Sequence, residues 1–437
     1  MIVALGLLLR LVDAGARLNH DEGYSWLVAS AGNVSAFASR LARYENTPPL
    51  FYLLLAPLPL DSEFWLRFPS IIAGTVSIAI LYAIVRPLLG SPAALLAALG
   101  LAVAPFAVSF SDYARGFMVA DLGLLVALLG AQRIVCGGSR RWWWAYVLGG
   151  TWAMYSEYFM GLYLAPIVGA MLLLCRSKRR DVLIFGALPF IAFLPWLPEL
   201  IRSLNLIGKT KTPLNPTKPS ASMIRDAIVP LFFGQHGTAG SHALRDAQAV
   251  LVIGILAYSC GRLWQAASRR AFWLLAGVLV VALALQLLVT AVDTDIFIER
   301  YMTAAIPLAA AVVAGALSTF RSRAAVPLAA AALAALGIAI AVFRAGREYE
   351  PNSAGAVAVA RVRGYRTILT NSAVVAFYGR DLRVIVDRPF GIGSGEERLC
   401  APACAIVDDA RFGGVRAGPG PRIVLGPLVI RFPPREA

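Results

Sequence analysis

Residues 91–109 read Ser91-Pro92-Ala93-Ala94-Leu95-Leu96-Ala97-Ala98-Leu99-Gly100-Leu101-Ala102-Val103-Ala104-Pro105-Phe106-Ala107-Val108-Ser109, without one charged side chain. As a helix, a run of this length and polarity spans a hydrocarbon core. Its flanks differ. Arg86 stands before it; after it come Ser111-Asp112-Tyr113-Ala114-Arg115 and, at once, a second apolar run over 116–134. Lipid forces backbone polar groups to pair within the segment, so such runs are helices. The ten-residue alternation of a membrane barrel is absent.

The same reading extends along the chain. Of 437 residues 59% are hydrophobic and 15% charged, whereas a soluble domain is nearer roughly half apolar and a quarter charged. The apolar runs make about eleven spans, near 1–18, 64–85, 91–109, 116–134, 142–156, 158–175, 182–198, 247–264, 271–292, 302–320 and 324–343. The first carries Arg10, Asp13 and Arg17, and Ala14-Gly15-Ala16 mimics a cleavage site. It lacks the basic leader of a signal peptide and reads as an uncleaved helix.

Orientation follows from the arginines. Arg86, then Arg133, Arg140 and Arg141, then Arg176, Lys178, Arg179 and Arg180, then Arg262, Arg269 and Arg270, and finally Arg321 and Arg323 fall in every second loop. Such loops are cytoplasmic. The net charge of +15 therefore belongs to the membrane topology and does not point to nucleic acid. The opposite loops, with 19–63 and 199–246 the longest, face outward from an inner (plasma) membrane. Residues 34–44 read as a helix lying in the interface.

The expected architecture is an all-α polytopic membrane protein with a small extracytoplasmic α/β domain at its C-terminus. The membrane module is 1–343 and the outer domain 344–437. Short β-like runs at Thr367–Thr370, Val384–Val386, Ala405–Val407 and Ile423–Leu425 lie between Gly- and Pro-rich turns. Cys400 and Cys404 are the tail's cysteines. An even pair in an oxidising compartment usually closes, so a disulfide is expected between them.

Candidate functional residues lie on the outer face. Asn19-His20-Asp21-Glu22-Gly23-Tyr24 sets two adjacent carboxylates where membrane meets water. Glu45-Asn46-Thr47-Pro48-Pro49-Leu50-Phe51-Tyr52 places a rigid Pro-Pro before an aromatic pair. Asp112 and Arg115 share a connection too short to leave the surface. Glu157-Tyr158 and Glu299-Arg300-Tyr301 stand at two other span ends. Ionisable groups at such depths are costly and are functional candidates; an arginine there either snorkels to headgroups or holds a phosphate through its fork of donors.

These residues resemble the GT-C superfamily of membrane glycosyltransferases, in its protein mannosyltransferase and aminoarabinose transferase branch. The resemblance rests on Asp21-Glu22 after the first span, Pro48-Pro49-Leu50-Phe51-Tyr52, and Arg67-Phe68-Pro69-Ser70. It continues through Ser111 to Arg115, Pro195-Trp196, and Arg300-Tyr301. It covers about residues 1–320 and not the tail. Thr47 stands where the branch usually has His, Tyr113 at a usually acidic position, and Phe117 at a usual Tyr, differences that bear on the acceptor.

The resemblance implies a donor sugar on a polyprenyl phosphate and a lipid, glycan or protein acceptor, met among membrane lipids. The leaving group is already a phosphate, so one base suffices, unlike the two carboxylates of a glycosidase. Asp21 is the matched base. Glu22, Tyr24, Asp112, Glu157 and Tyr158 are candidates to orient sugar or acceptor, or a metal. Arg115 and Arg300 are assigned to the departing phosphate. Divalent metal dependence stays open: the histidines, His20, His236 and His242, lack clean ligand spacing. The alternatives are a transporter or lipid flippase, and a non-catalytic GT-C homologue.

Overall fold

The computed structural model of the chain describes residues 1–209, 220–233, 241–292, 298–320, 325–344, 353–370, 372–386, 404–409, 422–425 and 428–431. His236 and Cys400 lie outside them. The chain runs α1 (Ile2–Leu11), α2 (His20–Ala29), α3 (Val34–Tyr44), α4 (Leu50–Leu55), α5 (Glu63–Leu89), α6 (Ser91–Val103), α7 (Pro105–Ser111), α8 (Phe117–Val135), α9 (Arg141–Ser156) and α10 (Gly161–Leu174). It continues with α11 (Arg179–Phe193), α12 (Leu197–Lys209), α13 (Ala221–Ile228), α14 (Pro230–Phe233), α15 (His242–Ala266), α16 (Arg269–Ala271), α17 (Val278–Val292), α18 (Ala305–Ser318) and α19 (Ala325–Arg344). The last elements are α20 (Ser353–Val362), β1 (Thr367–Thr370), α21 (Ala373–Tyr378), β2 (Arg383–Val386), β3 (Cys404–Asp409), β4 (Arg422–Leu425) and β5 (Leu428–Arg431).

Among the described residues, five helical runs are long and apolar enough to cross a membrane: Glu63–Leu89, Phe117–Val135, Arg176–Ser203, His242–Ala266 and Arg269–Ala291. The pair α6 and α7, bent by 55°, makes a sixth. Of the other expected spans, α1, α9, α10 and α18 are shorter helices, and 324–343 carries α19, of 20 residues. The first is the clearest difference: α1 has 10 residues where a span over 1–18 was expected, too few to cross a bilayer alone.

The chain divides into two compact units. The first comprises Met1–Asp13, Thr47–Phe51 and Arg67–Ala345. Its centre is the bend between α6 and α7. Pro105 opens α7, and its missing N–H and its ring break the helix and deprive the Leu101 carbonyl of a donor. Arg10, wholly buried, supplies the lost donors. Its Nη2 donates to Leu101 O at 3.3 Å and its Nη1 to Ala102 O at 3.1 Å. Its Nε donates to Ser111 Oγ at 2.9 Å. The charge that weakened the first span in the sequence thus fastens α1 to the break.

Beside it, α8 and α9 approach through glycines. A Cβ on Gly149 would stand 2.6 Å from Ala127 N, and one on Gly130 2.7 Å from Tyr146 N. Small residues let membrane helices pack backbone to backbone. Trp152 Nε1 adds a bond to Val119 O at 2.9 Å.

The second unit comprises Ala14–Asn46, Tyr52–Leu66 and Gly346–Ala437. Most of the first outer loop therefore belongs to the same unit as the tail. Its sheet has the order β2-β1-β3-β5-β4. Strand β1 is parallel to β2 and β3, and β5 antiparallel to β3 and β4. Its core holds Val357, Ala360, Ile368, Val375, Ala405, Val407, Leu428 and Ile430. Helix α21 binds the loop segments. A Cβ on Gly23 would lie 2.5 Å from Val374 N, Trp26 meets Phe377 edge-on, and Tyr378 Oη donates to Glu63 Oε1 at 2.8 Å. Cys404 opens β3; its pairing with Cys400 falls outside the described residues.

Candidate active site

In the first unit, sequence motifs far apart in the chain converge on the turn between α7 and α8. Ser70 Oγ donates to Arg115 O at 3.0 Å. That joins the Arg67-Phe68-Pro69-Ser70 segment to Arg115, and Arg67 Nη1 in turn holds Asp13 O at 2.9 Å. Gly116 lets two further motifs close in: a Cβ there would stand 2.7 Å from Ser156 O and 3.4 Å from Phe51 Cβ. Phe51 follows the buried Pro48 and Pro49, whose fixed backbone angles deliver the chain into α4. Ser156 immediately precedes Glu157.

Glu157 is 2% exposed and caps the 3-10 turn Tyr158–Met160, its Oε1 accepting from Tyr158 N at 3.1 Å. Tyr158 Oη accepts from Trp196 Nε1 at 3.2 Å, which brings in Pro195-Trp196. Asp112 closes α7 and is buried. Arg115 is half-buried.

Arg300 is exposed, its guanidinium 5.8 Å from the Tyr301 ring. Tyr301 packs on Phe159 at 4.1 Å and on Phe117 at 6.3 Å between ring centroids. Burial pushes the Glu299 carboxyl above its ordinary value; Arg300 opposes this and Asp226 adds to it.

The acidic pair lies in the second unit. Asn19 and Glu22 form a capping box: Asn19 Oδ1 accepts from Glu22 N at 3.1 Å, and Glu22 Oε2 accepts from Asn19 N at 2.9 Å. Glu22 thus helps to start α2, and Asp21 is half-buried in the same first turn, where the helix dipole favours acids. Tyr24 is buried, meets His20 edge-on and stacks on Tyr44.

The sequence reading passed over Asp121 and Thr303. Thr303 Oγ1 donates to Asp121 Oδ1 at 3.2 Å, both residues buried. The signal was present: a lone carboxylate inside an apolar run. Among the described residues no three His, Cys, Asp or Glu side chains gather as a metal site.

Residues 46–201 match the family described as dolichyl-phosphate-mannose-protein mannosyltransferase. That stretch holds Pro48, Pro49, Arg115 and Glu157 but neither Asp21 nor Arg300. No curated protein matches the chain by sequence. Among solved structures, ArnT from Cupriavidus metallidurans bound to undecaprenyl phosphate is similar, with TM-score 0.67 and 14% identity over 98% of this chain and 97% of that one. Its apo state gives 0.63 and 13% over 94% and 92%. The Archaeoglobus fulgidus oligosaccharyltransferase AglB, in complex with an inhibitory peptide and a dolichol-phosphate, gives 0.57 and 12% over 94% of this chain and 69% of that one. At these identities the structures speak for the fold alone, and the family match speaks for residues 46–201, the stretch that carries the convergent turn.

Proposed function

We propose that the chain is an inverting glycosyltransferase that moves a sugar from a polyprenyl-phosphate donor to an acceptor hydroxyl on the extracytoplasmic face. The observation that carries this is the convergence, around Arg115 and Gly116, of motifs drawn from Pro48 to Tyr301. Such a gathering of distant residues about an arginine suits a phosphate, which the guanidinium fork can bind in two places.

In this reading the Asp21 carboxylate takes the proton of the acceptor hydroxyl. The oxygen attacks the anomeric carbon, the bond to the phosphate oxygen breaks, and its electron pair leaves with the phosphate. A single displacement inverts the centre. Arg115 and Arg300 stabilise the charge that grows on the phosphate. Tyr24, Asp112, Glu157 and Tyr158 orient sugar and acceptor, and Glu22 holds the helix start that carries Asp21. An apolar groove in the first unit, lined by Leu96, Val103, Leu231, Phe232, Ile306 and Val313, suits an isoprenoid chain.

The lipid carriers reported with ArnT and AglB, undecaprenyl phosphate and dolichol-phosphate, agree with the donor class. The outward orientation is supported by helix α8, whose N-terminus follows Arg115 while Arg133 sits in its last turn. The arginine-rich loops are read as cytoplasmic, which sets the motif turn on the other side. The test is transfer of radiolabel from polyprenyl-phosphate sugars in membranes with and without the chain. Transfer that appears with the wild type and falls in Arg115→Lys supports the reading; equal transfer without the chain refutes it.

A further inference from the structure

Two arginines can grip one phosphate only if their spacing is held, and Arg115 and Arg300 come from different helix ends. Exposed Arg300 lies in a 3-10 turn, an element with poor hydrogen-bond geometry. What fixes that turn to α8 is a two-point attachment. Phe117 and Asp121 are four residues apart on α8, so they share one face. Tyr301 and Thr303 follow Arg300 by one and three residues. The Tyr301 ring packs on Phe117, and the Thr303 hydroxyl donates to Asp121. The second contact is the directional one. Thr303 is 0% and Asp121 4% exposed, so the bond does not compete with water. A carboxylate is a costly way to fill a buried position on a membrane helix, and an apolar side chain would pack there without that cost. Its use makes sense where register has to be specified.

We infer that Asp121 and Thr303 are a positioning pair that sets the distance between the two donor-phosphate arginines, which rests on the reading of Arg115 and Arg300 as phosphate ligands. Neither residue touches the reacting atoms. Their contribution lies in donor affinity and acts through the arginines.

The experiment is a titration of the purified chain in detergent with undecaprenyl phosphate carrying no sugar, followed by tryptophan fluorescence. Thr303→Val keeps the shape and removes the donor; it should weaken binding about tenfold, as for a buried acceptor left unsatisfied. Thr303→Ser keeps the hydroxyl and should bind like the wild type. The same change is then made in Arg300→Lys. A pair that works through Arg300 should there add no more than about twofold, because coupled residues are not additive. If Thr303→Val does not fold, Asp121→Leu, which removes the acceptor, takes its place in the cycle with the same expected outcomes. Wild-type affinity in Thr303→Val, or a full additive loss in Arg300→Lys, overturns the positioning role while leaving the phosphate site standing. Absence of any binding by the wild type overturns the phosphate reading and the pair with it.

Discussion

The turn at Ser111–Gly116 and the helix start at Asn19–Glu22 carry the two halves of the proposed chemistry and are built in opposite ways. The helix start has a local cap: Asn19 and Glu22 satisfy each other's backbone within four residues of chain. The turn is assembled from afar. Arg10 reaches Ser111, Ser70 reaches Arg115, and Phe51 and Ser156 close on Gly116. A local motif survives changes elsewhere, whereas a convergent one fails when any distant partner is altered.

The largest expected effect tests the locally capped side. Asp21→Asn keeps shape and removes basicity, and should lower turnover by about 10²–10⁴ while costing only about 0.3–1 kcal/mol of stability through the helix dipole. Near-normal turnover of the purified variant would remove Asp21 from the chemistry. The convergent side should break through Arg10→Met, which leaves the Leu101 and Ala102 carbonyls and Ser111 without this donor. Losses of about 1–3 kcal/mol for each buried group left unsatisfied should appear in detergent melts, together with weaker donor use. A stable variant with normal donor dependence would show that the turn does not need its remote tie.

Smaller effects sharpen the contrast. Glu22→Gln keeps a capping-box partner, so stability should hold and turnover should suffer far less than in Asp21→Asn. Glu22→Ala should cost about 0.5–2 kcal/mol in unfolding experiments. A Gln variant as inactive as Asp21→Asn would assign Glu22 a chemical role beyond the cap. The smallest effect concerns the exposed pair of Arg361 with Asp381, whose carboxyl the guanidinium holds below its ordinary value. A lowered folded value means that the pair contributes above the ordinary carboxylate range and loses its contribution as pH falls through the lowered value. Exposed pairs are screened, so Asp381→Asn should leave the melting temperature at neutral pH unchanged within error. A clear drop there would mark the pair as more than surface decoration.

Much of the fold was legible because it depends on local composition. The apolar runs gave the helices, β1 fell on Thr367–Thr370 as expected, and the helix anticipated over 34–44 is α3. What depended on distant partners was not legible. Arg10 read as a flaw in the first span because its acceptors lie about a hundred residues on. Asp121 offered no spacing to a second ionisable residue and was taken for part of an apolar run. The loop around Trp26 gave no sign that it belongs with the tail, since an edge contact with Phe377 leaves no trace in either local sequence. Strand β5 was missed because Leu428–Arg431 is a short apolar run whose character comes from its partners.

Arg10 also bears on how the protein is made. The acceptors it uses outside its own helix are 91, 92 and 101 residues further along the chain. A growing polypeptide exposes α1 to the insertion machinery well before those groups have been synthesised. Arg10 stands in the last turn of α1; a charged side chain in a membrane helix is costly to insert, and so short a helix has little apolar surface to offset it. Helix α1 should therefore wait at the membrane edge and settle only when the segment around Pro105 arrives, which couples the biogenesis of one helix to the translation of another.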